Sequence, residues 1–202
     1  MLAASVAAGM PAAAATSSGT TSANLIRNPG AEAGGGGSGE VVAIPGWTRA
    51  YQGKNVTVVR YGTGLLSPTD PGPASRGVNF FAGGPGACSP RYLIQRIDLT
   101  KYAASIDRGG VGMTMSGWFG GSGSKDDYVE MQIRITNGIY RLGPVHASDR
   151  NGKPALLLRS VVGGLAKGDR YADVKLIFSQ AYPQDSYDNA YADNVTLRLT
   201  NL

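Results

Sequence analysis

The sequence predicts an all-β protein, a two-sheet antiparallel β-sandwich with about ten strands and no long helix. Short runs of Val, Ile and Tyr are separated by Gly, Pro, Asn and Asp, as in chains that alternate strands with turns. Of the 202 residues, 30 are glycine and only 16% are charged. A chain of this length fits one domain with its own hydrophobic core.

The individual strands are predicted from the alternation of apolar and polar residues. They cover residues 55–61, 77–84, 91–100, 111–121, 153–164, 171–180 and 190–202, with two more inside 126–143. Within that last stretch, Asn137-Gly138 supplies the residue types of a type I′ hairpin turn. Residues 101–110 predict a single helical turn or an irregular crossover.

Two of these strands have a clear inner and outer face, because side chains in a strand alternate with a period of two. The expected core positions are Val111, Met113, Met115 and Phe119 in one strand, and Val129, Met131, Ile133 and Ile135 in the next. The expected outward positions are Thr114, Ser116 and Trp118, and Tyr128, Glu130, Gln132 and Arg134. We expect the two strands to pair through the GGSGSK loop, which would make one core face and one polar face with two aromatics.

The domain organisation follows from composition. Residues 1–15 are apolar and end in small residues, which is typical of a signal peptide, and residues 16–23 form a polar, flexible lead-in to a single domain over 24–202. We therefore expect a secreted or cell-surface protein without a membrane span, since spanning needs about 20 apolar residues. The net charge of +5 includes no basic run, so nucleic acid is not expected as a partner.

Three stretches resemble secreted galactose-binding-like jelly-roll domains, which include carbohydrate-binding modules of bacterial extracellular proteins. They are NLIRNPGAEAG with Pro45-Gly46-Trp47, then SGWFGG followed by DDYVEM, and finally AYADNVTLRL. The resemblance covers nearly all of the chain after residue 23. It implies jelly-roll topology, with the opening and closing segments side by side.

The resemblance also implies a structural calcium ion, because family members commonly hold Ca²⁺ between an opening and a closing acid. In this sequence those acids are Glu32 and Asp193, with Asn28 or nearby carbonyls as further ligands. Calcium takes six to eight oxygen ligands in flexible geometry, which a Gly-rich loop can supply. The alternative is that Glu32 caps a turn and Asp193 opens a strand without any metal.

Two sets of residues are candidates for binding a sugar, which needs an aromatic platform and polar groups for its hydroxyls. The first is Trp118, Tyr128, Glu130, Gln132 and Arg134 on the polar sheet face, and the second is Trp47, Tyr51, Tyr182 and Tyr187 in loops. Aromatic residues on a sheet also form ordinary cross-strand pairs, so both sets have a purely structural alternative.

The favoured function is a calcium-stabilised, non-catalytic binding module for carbohydrate or another extracellular polymer. The alternative is a structural or adhesive surface protein that self-associates through its sandwich. A glycan-active hydrolase is less favoured: His146 is the only histidine, and Ser148 and Asp149 beside it belong to no ordered catalytic motif. With a single cysteine, Cys88, the chain forms no internal disulfide and offers no typical zinc site.

Overall fold

The computed structural model describes residues 19–50, 54–87, 89–182 and 185–202. The strands are β1 (Thr48–Arg49), β2 (Thr57–Arg60), β3 (Asn79–Pro85), β4 (Arg91–Asp98), β5 (Gly112–Gly121), β6 (Tyr128–Ile135), β7 (Gly138–Leu142), β8 (Ala155–Gly164), β9 (Tyr171–Ser179) and β10 (Tyr187–Thr200). One short helix, α1 (Ala103–Arg108), lies where a helical turn was expected. None of the described helices is long and apolar enough to cross a bilayer. The predicted all-β class is confirmed.

The ten strands form two five-stranded antiparallel sheets. The front sheet has the order β1-β4-β9-β6-β7, and the back sheet has the order β2-β3-β10-β5-β8. Most sheet neighbours are distant in sequence, so the chain repeatedly crosses from one sheet to the other. This is the expected two-sheet sandwich with jelly-roll topology.

The main core lies between the two sheets and confirms the predicted inward positions of both analysed strands. Val111, Met113, Met115 and Phe119, and Val129, Met131, Ile133 and Ile135, are all buried there. The burial patterns of β5 and β6 alternate over most of their length, as one covered face requires.

The expected pairing of β5 with β6 is wrong, because the two strands lie in opposite sheets. β5 pairs with β10 and β8, whereas β6 pairs with β9 and β7. Residues 122–127 are therefore a crossover between the sheets. The buried guanidinium of Arg150 holds it, with Nη1 donating to the carbonyls of Gly121 and Gly123 at 3.1 Å and Nη2 to that of Lys125 at 3.1 Å.

Asp127 anchors the other end of this crossover. Its fully buried carboxylate accepts the backbone N–H of Ala181, just after β9, and the N–H of Asn189 in β10, each at 2.8 Å. One buried side chain thus joins the segment that follows β9 of the front sheet to β10 of the back sheet, and losing hydrogen bonds to a charged acceptor is costly. These contacts fix residues 122–127 as a connection between the two sheets and not as a hairpin within one sheet.

The β6–β7 hairpin is present, but its predicted turn type is wrong. The ladder closes with Ile135 opposite Gly138, so the turn consists of Thr136 and Asn137. Neither Asn137 nor Gly138 has the positive φ that a type I′ turn places there. The buried Asp169 accepts the N–H of Thr136 at 3.2 Å and helps to set the turn.

The opening segment lies beside the last strand, as the resemblance implies. The Asn24 side chain donates to the Val195 carbonyl and accepts the Leu197 N–H, both at 3.0 Å. Contacts with the sandwich begin before residue 24, because the Ser22 N–H donates to the Leu199 carbonyl at 2.9 Å. The amide of Asn24 thus replaces part of a regular strand ladder.

We expect Asp127→Ala to destabilise the protein by about 1–3 kcal/mol, because it removes a buried carboxylate that accepts two part-buried backbone hydrogen bonds. Chemical denaturation of the variant and the parent measures this loss. The matched control is Asp185→Ala, which removes only a surface ion pair with Lys125 (2.7 Å) and should cost about 1 kcal/mol or less. Equal losses for the two variants would contradict the role given to Asp127.

Candidate functional site

The loop between β2 and β3, residues 61–78 and here called the cover loop, covers part of the outer face of the back sheet. Its Leu66 is only 2% exposed and belongs to a second hydrophobic cluster on that face. The other buried members of the cluster are Val59, Phe80, Ala82, Leu156 and Tyr191. The cover loop also reaches β8, where the Pro71 carbonyl accepts the Leu156 N–H at 2.8 Å.

The outer face of the front sheet instead carries an open groove of about 490 Å³. This volume lies within the range of about 300–1,000 Å³ found for ligand sites. The groove is lined by Arg27, Thr48, Ile94, Gln95, Arg96, Gln132, Arg134, Asp173, Val174 and Lys175. We regard it as the candidate functional site.

The floor of the groove is a row of cross-strand neighbours. Lys175 in β9 lies between Ile94 in β4 and Gln132 in β6, and Arg141 in β7 follows Gln132. With the Gln132 amide oxygen turned toward Arg141, that oxygen lies 3.2 Å from Nη1 and 3.1 Å from Nη2. The row therefore combines an apolar side chain, an ammonium group and an oriented amide.

The next row contains a two-point ion pair. Arg96 contacts Asp173 through Nε–Oδ1 at 2.7 Å and Nη2–Oδ2 at 2.9 Å. This hydrogen bonding lowers the pKa of Asp173, and the charge of the neighbouring Arg134 adds to the effect. Asp173 is therefore ionised at neutral pH and its charge is matched by Arg96.

Two tyrosines lie at opposite ends of the groove along β4 and β9. Tyr92 is one row beyond Ile94, and Tyr171 is one row beyond Arg96. Lys175 Nζ lies 4.8 Å from the centre of the Tyr92 ring, and the Arg96 guanidinium carbon lies 5.4 Å from that of Tyr171. Both distances are typical of cation–π contacts.

The structure divides the first predicted sugar-binding set. Tyr128, Glu130, Gln132 and Arg134 share the outer face of β6, as their alternation predicted. Trp118 does not join them, because β5 belongs to the back sheet and its ring packs against the second hydrophobic cluster. Glu130 is engaged by Arg141 at 2.7 Å, and the Tyr128 ring lies 5.2 Å from that of His146.

The described members of the second predicted set lie in different surroundings. Trp47 is 8% exposed in the main core, with its ring 5.7 Å from that of Phe81 in an edge-to-face contact. Tyr187 belongs to the other cluster, and burial raises its pKa to about 12. Tyr182 is 55% exposed, and Tyr51 lies outside the described residues, as does Cys88.

The groups nominated for hydrolysis do not form a catalytic triad. His146 Nδ1 lies 3.0 Å from Asp126, whose other oxygen accepts the Ala147 N–H. Asp149 accepts the backbone N–H of His146 and not its ring, and it pairs with Arg159 at 3.1 Å. Among the described residues, no hydroxyl group hydrogen-bonds to the His146 ring.

The two predicted metal ligands lie close together on the back side of the sandwich, next to the cover loop. Glu32 accepts the N–H groups of Val78 at 3.1 Å and Asn79 at 2.9 Å. Asp193 is fully buried and accepts the Tyr61 hydroxyl at 2.8 Å. A β-bulge follows Asp193 in β10, and Asn194 within it has a φ of 46°. Bulges of this kind change the direction in which neighbouring side chains point.

The oxygen atoms of this pair fit a hard cation. Burial raises the pKa of Asp193 to about 7, and the charge of Glu32 adds to the rise, so an added positive charge would stabilise both. The nearby Arg76 gives its hydrogen bonds to carbonyls of the cover loop. The described residues contain no cluster of three His, Cys, Asp or Glu, so further ligands would be carbonyl, amide or hydroxyl oxygens. Asn79 Oδ1 is one buried oxygen without a described partner.

Comparison with known proteins identifies no matching family model and no matching curated protein. Solved structures do match. A family 16 carbohydrate-binding module is 18% identical with a TM-score of 0.50, and the match covers 86% of this chain and 99% of that one. This chain and that module share a β-sandwich fold.

Other structures with this fold include enzymes. A Stig cyclase from Fischerella sp. TAU, solved with an indole compound, is 14% identical with a TM-score of 0.58 over 89% of this chain and 98% of that one. The enzymatically active domain of tailspike protein 4 from bacteriophage CBA120 is 16% identical with a TM-score of 0.53. That match covers 87% of this chain but only 21% of the tailspike chain. Identities this low establish the fold alone.

We expect Trp47→Ala to destabilise the protein by about 3–5 kcal/mol, because it removes a large buried ring from the core. Its Nε1 also donates to the Asn28 carbonyl at 3.2 Å. The matched control is the exposed Tyr182→Ala, which should change stability by about 0.5 kcal/mol or less. Thermal and denaturant unfolding test both variants, and a folded Trp47→Ala protein of parental stability would contradict the core assignment.

Proposed function

We propose that this protein is a non-catalytic carbohydrate-binding module that holds a polysaccharide in the groove of the front sheet. The observation that carries the proposal is the difference between the two outer faces. The cover loop and its hydrophobic cluster occupy part of the back face, and the pockets on that side lie beside the cover loop or the opening segment. The groove of about 490 Å³ instead lies across neighbouring strands of the front sheet. A carbohydrate-binding module of the same fold supports the proposal by analogy.

The groove has the side chains that sugar recognition needs. The Gln132 amide and the Thr48 hydroxyl suit sugar hydroxyl groups, and Ile94 gives a small apolar floor. The rings of Tyr92 and Tyr171 flank the groove and suit the apolar face of a pyranose. A ligand lying along β4 and β9 would meet all of these groups in turn.

The charge state of the groove favours binding over proton transfer. Asp173 has a lowered pKa because of Arg96, so it is a poor general acid near neutral pH. Glu130 is held by Arg141 at 2.7 Å. Since enzymes also adopt this fold, this electrostatic arrangement is our reason for preferring a module.

We expect Gln132→Ala to weaken polysaccharide binding by about fivefold to tenfold, because one net hydrogen bond contributes about 1 kcal/mol and an unpaired partner more. Affinity electrophoresis against a panel of plant and microbial polysaccharides measures the effect. The comparison variant is Trp118→Ala on the covered back face, which should bind normally if it remains folded. If Trp118→Ala lost binding while it remained folded, and Gln132→Ala bound normally, the binding site would lie on the back sheet and the proposed groove would be wrong.

Self-association is the second candidate function, and the edge strand β8 favours it. Val162 is 74% exposed and Leu158 is 50% exposed on the outer face of that strand. Exposed apolar residues on an unpaired edge invite pairing with another chain. Light scattering over a range of concentrations tests this reading: assembly that Val162→Lys abolishes, together with no polysaccharide binding, would favour it over the module.

We further propose that the module is exported and that calcium stabilises it. Glu32 and Asp193 would hold the ion together with carbonyl oxygens from the opening segment and cover loop. Bound calcium would neutralise the two acids and so tie the opening segment to β10. Because both acids lie on the back side and the groove lies on the front, the ion would act on stability and not on the ligand.

We expect a chelator to lower the melting temperature by about 5–10 °C, since a saturating ion contributes about 2–3 kcal/mol and each kcal/mol shifts a domain of this size by about 2–4 °C. Differential scanning calorimetry with calcium and with chelator measures it. Glu32→Gln should remove most of the difference, and Asp185→Ala should keep it. Identical melting temperatures for the parent protein in the two conditions would refute the calcium proposal.

A further inference from the structure

The groove on the front sheet is strongly basic. Its lining includes the side chains of Arg27, Arg96, Arg134 and Lys175 against the single carboxylate of Asp173, a formal excess of three positive charges. The whole chain has a formal net charge of only +5. The positive charge is therefore concentrated at the candidate site.

The excess is not removed by ion pairing. Asp173 is matched by Arg96, whereas Arg27, Arg134 and Lys175 form no ion pair with any described residue. Two other acids on this face lie one row outside the rows of Lys175 and Asp173: Glu130 is paired with Arg141 at 2.7 Å, and Asp98 accepts the Thr100 N–H at 2.8 Å. Three cations in the groove are thus available to a ligand.

These three cations come from different sides of the groove and are held in place by the fold. Arg27 is fixed through its backbone, because Gln95 accepts its N–H at 3.0 Å and donates to its carbonyl at 2.8 Å. Lys175 projects from the central strand β9, and Arg134 comes from the adjacent strand β6, one row further along. Diagonal neighbours on a sheet are about 7–8 Å apart at their Cα atoms, so they can contact successive groups on an extended polymer.

This arrangement suits repeated negative charges better than a neutral sugar chain. Like charges gathered in a concave site raise the local potential and attract anions, and arginine binds carboxylates and sulfates through parallel hydrogen bonds. From the geometry of these three side chains we propose that the ligand is an acidic polysaccharide, whose uronate or sulfate groups contact Arg27, Arg134 and Lys175. The inference rests on the proposed function and specifies its ligand class.

The test compares polygalacturonate with its highly methyl-esterified form, which has the same sugar backbone without most of the charge. Dextran sulfate and an unsulfated dextran form a second matched pair that separates sulfate from carboxylate. Affinity electrophoresis and calorimetry use the full chain at low and high salt. We expect binding to at least one acidic polymer, at least tenfold weaker binding to its neutral counterpart, and weakening by salt.

The decisive variant is Arg134→Gln/Lys175→Gln, which removes two of the three unpaired cations. We expect it to weaken binding of the acidic polymer by about tenfold or more, because each charge-assisted hydrogen bond contributes about 1.5–3 kcal/mol. Its matched control is Arg108→Gln/Lys167→Gln, which removes the same charge from exposed positions outside the groove and should change affinity less than about twofold. If the decisive variant fails to fold, Arg27→Gln replaces it, since only the Arg27 backbone is held by Gln95.

The outcomes separate the two proposals. Equal or tighter binding to the neutral polymers, unchanged in Arg134→Gln/Lys175→Gln, would overturn the acidic-ligand inference and leave the carbohydrate module standing. Equal loss in the variant and its control would also overturn the inference. Binding of single-stranded DNA or polyglutamate as tight as that of the acidic glycan would show recognition of charge alone and overturn it as well. If no polysaccharide binds under any condition, both proposals fail.

Discussion

The crossover between β5 and β6 determines what each face of this sandwich can do. Arg150 binds three carbonyls of the crossover and its continuation from β5, and Asp127 joins the far end to both sheets. These contacts fix the chain as it passes from the back sheet to the front sheet. Trp118 and Tyr128 therefore lie on the outer faces of opposite sheets. As a consequence, the groove is built from β1, β4, β6 and β9 together with Arg27 of the opening segment, and its lining includes no tryptophan.

The outer faces of the two sheets differ in the residues that they carry. On the back, the cover loop packs Leu66 against a second hydrophobic cluster, and the acids Glu32 and Asp193 lie next to that loop. On the front, polar and basic side chains lie in rows across the strands and line the groove. The proposed calcium ligands and the candidate groove therefore lie on opposite sheets of the sandwich.

The sequence predicted correctly which residues of β5 and β6 face the core, because alternation within a strand is a local property. This alternation correctly predicted the four residues of β6 on the outer face of the front sheet, which are Tyr128, Glu130, Gln132 and Arg134. The order of the strands in each sheet could not be predicted from the sequence, because it depends on long-range contacts such as that of Asp127 with Ala181, 54 positions away. The alternating stretch 91–98 already contained groove residues of β4, but nothing local shows that β4 and β6 flank the same strand, β9. The Gly- and Ser-rich crossover resembled a hairpin loop because composition alone does not distinguish the two.

The cover loop also makes the two sheets unequal in how readily they open. Six of the seven residues of β3 are buried, because this strand is covered by the core on one side and by the loop on the other. In the front sheet, β4 and β9 alternate between buried and accessible residues. Local opening exposes less apolar surface in strands covered on one side only, and so requires less free energy. The strand β3 is thus the part of the back sheet most resistant to local opening, whereas the groove lies on strands that open at a lower cost in free energy.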